Sequence, residues 1–217
     1  MLLSDIAEYV MLDSGSFIIG DMTLANIDMN RFWRLVKRDL AYYNKYTPVT
    51  KYINLQIGAS PYIFPDVPGN PAPEWISKIY PTGIASNFSL FGLVGNNSDP
   101  VPVVYRYTKP NLWIANAATI ECTCHYNRNV TITYLDDSST KINDIDISNL
   151  DETDIWFQRL VTANFMIAVG RSRRAFLIGD FPISMDSAEL VAEGLQQKLE
   201  AEQMIMDQGK WQYSIGG

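Results

Sequence analysis

Cys122-Thr123-Cys124-His125 is the one cluster in this sequence with metal-ligating residue types. On an extended segment successive side chains point to opposite faces, so the two sulfurs share one face and His125 takes the other. One metal ion would struggle to collect all three. The sequence offers no second Cys/His pair to complete four ligands. The two cysteines are therefore expected to pack as small hydrophobes, with His125 exposed on the outer face. Two residues apart on a strand, they are poorly placed to bridge each other. Reduced thiols fit a protein made and assembled in the cytosol.

Other chemistry fares no better. Hydrolytic nucleophilic catalysis needs a base beside the nucleophile, and His125 is the only histidine. No Gly-x-Ser-x-Gly elbow accompanies it. Asp144-Ile145-Asp146 has carboxylates for a divalent ion but lacks the glycine and terminal glutamate of the familiar calcium loop. Gly92-Leu93-Val94-Gly95 does not lead into a helical pattern, so it is not a phosphate loop. These readings leave no catalytic, cofactor or metal residue to name, and the expectation is a protein that is not an enzyme.

What remains is charge and aromatic surface. The chain carries a net charge of −7, unevenly spread. Residues 136–154 hold seven acids against Lys141, and residues 186–207 hold six against Lys198. Residues 29–51 reverse the sign, with Arg31, Arg34, Lys37, Arg38, Lys45 and Lys51 against Asp39. Such patches are either solvated faces or surfaces for head-to-tail association of identical copies. The basic stripe could touch nucleic-acid phosphates, but the chain as a whole is acidic and no aromatics interleave on that face. Charged residues make up only 19% of the chain, which suits a surface partly covered by partners.

The elements that must carry these surfaces can be read from periodicity. Residues 2–13 pattern as a short helix with Leu3, Ile6 and Val10 on one side, broken by Gly15 and Gly20. Residues 28–46 pattern as a helix with Asp28 at its N-cap and Pro48 ending it. Phe32, Val36 and Tyr43 line one face; Arg31, Arg34, Arg38 and Lys45 line the other. Residues 155–169 are apolar almost all round and read as the most buried helix. Gly170 then either caps it or allows a close crossing. Arg171, Arg173 and Arg174 follow as carbonyl caps or intersubunit partners. Asp186 to Glu189 resembles a capping box for a last helix over 187–208, with Ala188, Val191, Ala192, Leu195, Leu199 and Met206 as its apolar stripe.

Between the helical parts lies an extended excursion. Val49, Ile53, Leu55 and Ile57 alternate as a strand. Pro61, Pro65, Pro68, Pro71 and Pro73 then forbid a regular ladder, and a loop this long is usually functional or partner-bound. Its aromatics Tyr62, Phe64 and Trp75 need cover. Residues 74–80 are read as a helical turn. From 101 to 135 the pattern is strand: Val103, Tyr105 and Tyr107; then Ile120, Cys122, Cys124 and Tyr126; then a turn at 127–129 and Val130, Ile132 and Tyr134 as the second arm of a hairpin. The acids of 136–154 are read as solvated turns. The tail carries Trp211 and Tyr213, costly to leave wet. The expected fold class is α+β. A bundle of about four helices (1–48 and 150–210) carries an inserted antiparallel β-sheet or sandwich with a long Pro-rich loop (49–149) and a C-terminal tail (211–217). The candidate interface is Arg31, Arg34, Arg38, Tyr62, Phe64, Trp75, Arg171, Arg173, Arg174, Trp211 and Tyr213.

The opening residues lack a basic leader region, so no secretory signal is expected, and no uncharged run reaches the ~20 residues of a membrane span. The Asn-x-Ser/Thr matches at Asn87, Asn96 and Asn129 are read as chance.

The stretch Ile167-Ala168-Val169-Gly170-Arg171-Ser172-Arg173-Arg174-Ala175-Phe176, with Asp180-Phe181-Pro182-Ile183 and Glu193-Gly194-Leu195 after it, is similar to the C-terminal part of virion structural proteins of tailed bacteriophages. Glu74-Trp75-Ile76, Tyr105-Arg106-Tyr107 and Pro110-Asn111-Leu112-Trp113 fit the same resemblance. It implies a homo-oligomeric ring with a helical body and β arms reaching to neighbouring layers, and no enzymatic residues. It fits a neck or head–tail connector between portal and tail, and equally a baseplate or tail-wedge component. The overall acidity suits a channel along which DNA slides. A β module binding carbohydrate or another small ligand through Tyr105, Tyr107 and Trp113 is the reading from a different class.

Overall fold

A computed structural model describes residues 1–14, 28–58, 60–81, 104–114, 119–135, 139–174 and 187–214. The elements run α1 (Leu3–Asp13), α2 (Met29–Tyr46), β1 (Val49–Gln56), β2 (Tyr62–Ile63), β3 (Trp75–Pro81), β4 (Tyr105–Thr108), β5 (Asn111–Ile114), β6 (Thr119–Tyr126), β7 (Val130–Tyr134), β8 (Ile142–Ile147), α3 (Ile155–Arg174) and α4 (Ser187–Ser214). They fall into two compact units. One comprises residues 1–47 and 128–217, the other residues 48–127. The architecture is α+β, as the periodicities predict. The insert, however, ends at Asn127 rather than at 149, because β7 and β8 belong to the helical unit.

In the helical unit α2 begins as its sequence dictates. The Asp28 carboxylate accepts from the backbone N–H of Asn30 and Arg31, satisfying donors that the first turn leaves orphaned. Its apolar face, Phe32, Val36, Leu40 and Tyr43, enters a core shared with Leu3, Ile6 and Val10 of α1 and Phe157, Leu160, Val161 and Phe165 of α3. The α3 helix is the buried centre of the unit, and it continues past Gly170 to Arg174. Gly170 thus serves a close crossing and not a cap.

Residues 142–147 are a strand and not solvated turns. The β8 strand pairs antiparallel with β7, and its Ile145 and Ile147 are fully buried. Asp144 holds the first turn of α1, accepting from the Ser4 N–H at 3.1 Å and the Ser4 hydroxyl at 2.7 Å. The predicted hairpin across 127–129 does not form. The β7 arm pairs with β8, and β6 pairs with β1 and β3. Residues 127–129 carry the chain from one unit into the other.

The last helix corrects a further expectation. Leu195 and Leu199 are exposed, as are Ala188 and Ala192, while the face turned to the unit is Gly194, Ala201, Ile205 and Gly209. Proximity explains the choice. A Cβ on Gly194 would lie 2.9 Å from the Ala163 carbonyl oxygen and 2.9 Å from Ile167 Cγ1. One on Gly170 would lie 2.6 Å from Val191 Cγ2, and one on Gly209 2.6 Å from the Tyr46 carbonyl oxygen. Only hydrogen fits there, so the small residues together with the fully buried Ile205 set the inward face. Gly194→Ala gains about 1 kcal/mol of helix propensity, and overpacking costs about 1–3 kcal/mol. The obstructing atom is backbone and cannot rotate away, which puts the cost in the upper part of that range, so we expect net destabilisation of about 1–2 kcal/mol on thermal denaturation. A neutral or stabilised variant would show that the helices separate easily. The α4 helix runs to Ser214, so the expected tail at 211–217 is helical through four of its residues.

The insert is built from two three-stranded antiparallel sheets, ordered β1-β6-β3 and β2-β5-β4. Their facing sides share one core: Leu55, Ile76, Ile79, Ile120, Cys122 and Cys124 from the first, Leu112 and Ile114 from the second, with Phe64 buried among them. Residues 75–81 are therefore a strand and not a helical turn. Alternation had placed Ile53, Leu55, Cys122 and Cys124 correctly. Val103, Gly15, Gly20, Asp186 and residues 92–95 lie outside the described residues.

Candidate interaction surface

The cysteine–histidine cluster folds as alternation requires, with one correction. Cys122 and Cys124 are both fully buried on the core side of β6, and their thiols are free. The hydrogen bond with Cys124, then burial, raises the Cys122 thiol far above its ordinary range, so it stays protonated at neutral pH. His125 points to the other side but is buried, not exposed. The Trp75 ring stacks on it at 5.1 Å between centroids. Its Nδ1 lies 3.1 Å from the Thr50 hydroxyl and its Nε2 2.8 Å from the Ser77 hydroxyl. Ser77 is the extra residue of a bulge in β3, which swings it toward the ring. Burial pulls the imidazole pKa below its usual value. A neutral ring closed under tryptophan and tied at both nitrogens is a clamp across three strands. Among the described residues no three His, Cys, Asp or Glu side chains come together as a metal site.

The predicted interface residues divide. Arg31, Arg34, Arg38 and Lys45 are exposed along α2, one side of a single helix, with Arg31 ion-paired to the Asp28 cap at 3.2 Å. Asp39 breaks the stripe: it is buried, with Oδ1 3.3 Å from the Arg38 Nε and 3.1 Å from the Asn164 Nδ2. Phe64 lies in the insert's own core, and Tyr62 is half-buried against it, ring edge to ring face at 5.1 Å. The Pro-rich segment thus finds cover for Phe64 inside the insert. Trp75 is half-buried over His125. Arg171 is exposed in the last turn of α3. Arg173, Arg174, Trp211 and Tyr213 have helical backbone, and their side chains lie outside what is described.

The rings proposed for sugar stacking are also placed. Tyr105 donates to the Ile76 carbonyl and Tyr107 to the Pro73 carbonyl, each at 2.6 Å, so both point inward. Trp113 lies on the opposite face of its sheet beneath the Arg106 guanidinium at 5.5 Å.

Sequence reasoning missed two features. One is the outer face of α4. Ala188, Ala192, Leu195, Leu199 and Met206 recur at spacings of four, three, four and seven along it, with Leu195 46% and Leu199 68% exposed. Exposed Glu189, Glu193 and Glu200 run beside them. The stripe itself was legible, but the assumption that it faced inward was wrong. The other is Arg128, read only as a turn residue. Its side chain is 8% exposed. It donates to the Thr47 carbonyl at 2.7 Å, the Asn149 carbonyl at 2.8 Å and the Asn44 side-chain oxygen at 3.1 Å. No described helix is long and apolar enough to cross a membrane.

No protein-family model matches this chain, and no curated protein matches it significantly.

Proposed function

We propose that this chain is a non-enzymatic structural subunit of a tailed-phage virion, forming the neck or head–tail connector ring between portal and tail. The exposed leucine stripe of α4 carries the self-association part of this reading. Two large apolar side chains in register on a surface helix are costly to leave wet and suit a protein contact. The opposite charge of the exposed α2 face supports the same conclusion. The place in a virion rests on the sequence resemblance. Its partners are copies of itself and neighbouring portal, neck or tail proteins, and assembly occurs in the host cytoplasm. The chain's overall acidity suits a channel that repels DNA phosphate, which tolerates DNA nearby without gripping it.

The test is the mass of the purified full chain by native mass spectrometry, alone and with portal and tail proteins, followed by imaging of the particle. A ring mass, or a stoichiometric complex with those proteins, is the expected result. A chain that stays monomeric in both settings contradicts the proposal. Density placing it at the distal end of the tail selects the baseplate or tail-wedge role instead.

A further inference from the structure

We propose that the outer face of α4 in one copy docks on the basic face of α2 in the next, giving a head-to-tail contact. This rests on the self-association reading above and names the surfaces that carry it. Two observations combine. The α4 face presents Leu195 and Leu199 with Glu189, Glu193 and Glu200 on its flank. The α2 face presents Arg31, Arg34, Arg38 and Lys45, with exposed Ala41 among them, at spacings of three and four.

The two stripes are opposite in charge. Residues three and four apart line one side of a helix, so each stripe is continuous. Two helices packed about 8–10 Å apart bring such stripes into contact. Arginine covers apolar surface with its methylenes and carries its charge outward. Laid over Leu195 and Leu199, the α2 arginines bury those leucines and deliver guanidinium groups to the neighbouring glutamates. Pairing a stripe with itself is disfavoured, because α2 on α2 sets basic against basic and α4 on α4 brings acidic flanks together. The chain's overall negative charge argues against nucleic acid as the occupant of α2. Because the two faces differ, the pair keeps one face of each kind free, one on each copy. Repetition then closes a ring if the rotation allows, and builds a filament otherwise.

The test uses two full-length variants. One reverses the basic face (Arg34→Glu with Lys45→Glu); the other reverses the acidic flank (Glu193→Arg with Glu200→Arg). These side chains are exposed, and circular dichroism checks that each variant folds. Each alone should self-associate roughly 10–100-fold more weakly, because like charges then meet at the contact. Mixed in equal amounts, they should assemble again, since each supplies the face the other has lost. Leu199→Glu should also weaken assembly; mixed with the α2-reversed variant it should form pairs through the one intact contact, and mixed with the α4-reversed variant it should form none. Wild-type assembly in all three variants overturns this docking and leaves the self-association reading standing. Weakened variants that fail to rescue one another overturn it as well. A wild-type chain that is monomeric at every concentration overturns both. Retention of duplex DNA by the wild type, lost on reversing α2 while the oligomer persists, assigns α2 to nucleic acid and overturns the docking.

Discussion

Arg128→Met should destabilise the helical unit by about 3–5 kcal/mol, the cost of removing one partner from a buried, hydrogen-bonded charge. The site explains the size. The guanidinium lies over the Tyr43 ring at 4.5 Å and 3.9 Å from the Asp154 carboxylate. Tyr43 donates to the same carboxylate at 2.5 Å. Burial first, and then Asp154, pushes the Tyr43 hydroxyl up to about 12, so it remains a donor across the working pH range. Burial lowers the Arg128 pKa, but an arginine starts so high that it stays charged. Methionine fills much of the volume and donates nothing. The Thr47 and Asn149 carbonyls and the Asn44 side chain lose a donor, and Asp154 loses its counter-charge.

Arg128→Lys separates charge from geometry. Lysine keeps the positive charge but has one nitrogen, and it cannot reach Thr47, Asn149 and Asn44 from one point as the planar fork does. We therefore expect Arg128→Lys to recover only a minor part of the loss. Thr47 and Arg128 are where the chain leaves and re-enters the helical unit, so this side chain holds both ends of the insert's root. Proteolysis near residues 47 and 128 should accelerate in step with the loss of stability. A denaturation midpoint for Arg128→Met within experimental error of the wild type would remove the buried fork from any structural role.

Local signals made much of this architecture readable. Asp28 followed by an amphipathic run gave α2 its start, and alternation in Ile120, Cys122, Cys124 and Tyr126 gave β6 its buried side. The failures share a cause: each depended on a partner distant in sequence. Residues 142–147 look polar because Asp144 is used to hold Ser4, 140 residues away. The pairing of β6 with β1 and β3, in preference to the nearer β7, is a tertiary choice that no turn signal encodes. His125 is buried because a bulge brings Ser77 to it and Trp75 covers it. The α4 face was misassigned because a hydrophobic stripe says that a surface will be covered but not by which chain. The glycines that selected the true inner face were visible as residues but not as a crossing.

Asp39→Asn should stabilise the protein at pH 7 by about 1–3 kcal/mol, an unusual sign for a substitution in a helix core. Asp39 is 3% exposed in the core of the helical unit, and its Oδ2 has no hydrogen-bond partner among the described residues. Burial raises its pKa to about 6, and Arg38, Asn164 and Lys198 oppose that rise without overcoming it. The sign follows from linkage. A carboxyl whose folded pKa exceeds its unfolded value binds its proton more tightly when folded. Its favourable contribution is complete below about pH 4 and is lost as pH rises through about 6. Asparagine is neutral throughout and keeps an oxygen to accept from Asn164, so it does not suffer that loss. Other groups titrate near this window with the opposite slope. Buried His125 has a lowered pKa, so the unfolded chain binds more protons and stability rises with pH. Asp151, held low by the Thr153 hydroxyl, gives stability that disappears as pH falls. The decisive quantity is thus the difference between Asp39→Asn and wild type, measured by denaturation at several pH values from 4 to 7.5. That difference should grow with pH and level off above about 7, since a titrating group is almost fully ionised about one unit beyond its folded pKa. A difference that is flat across the range, or an Asp39→Asn protein weaker than wild type at pH 7, would mean that the buried carboxylate is better solvated or paired than its orphaned oxygen implies.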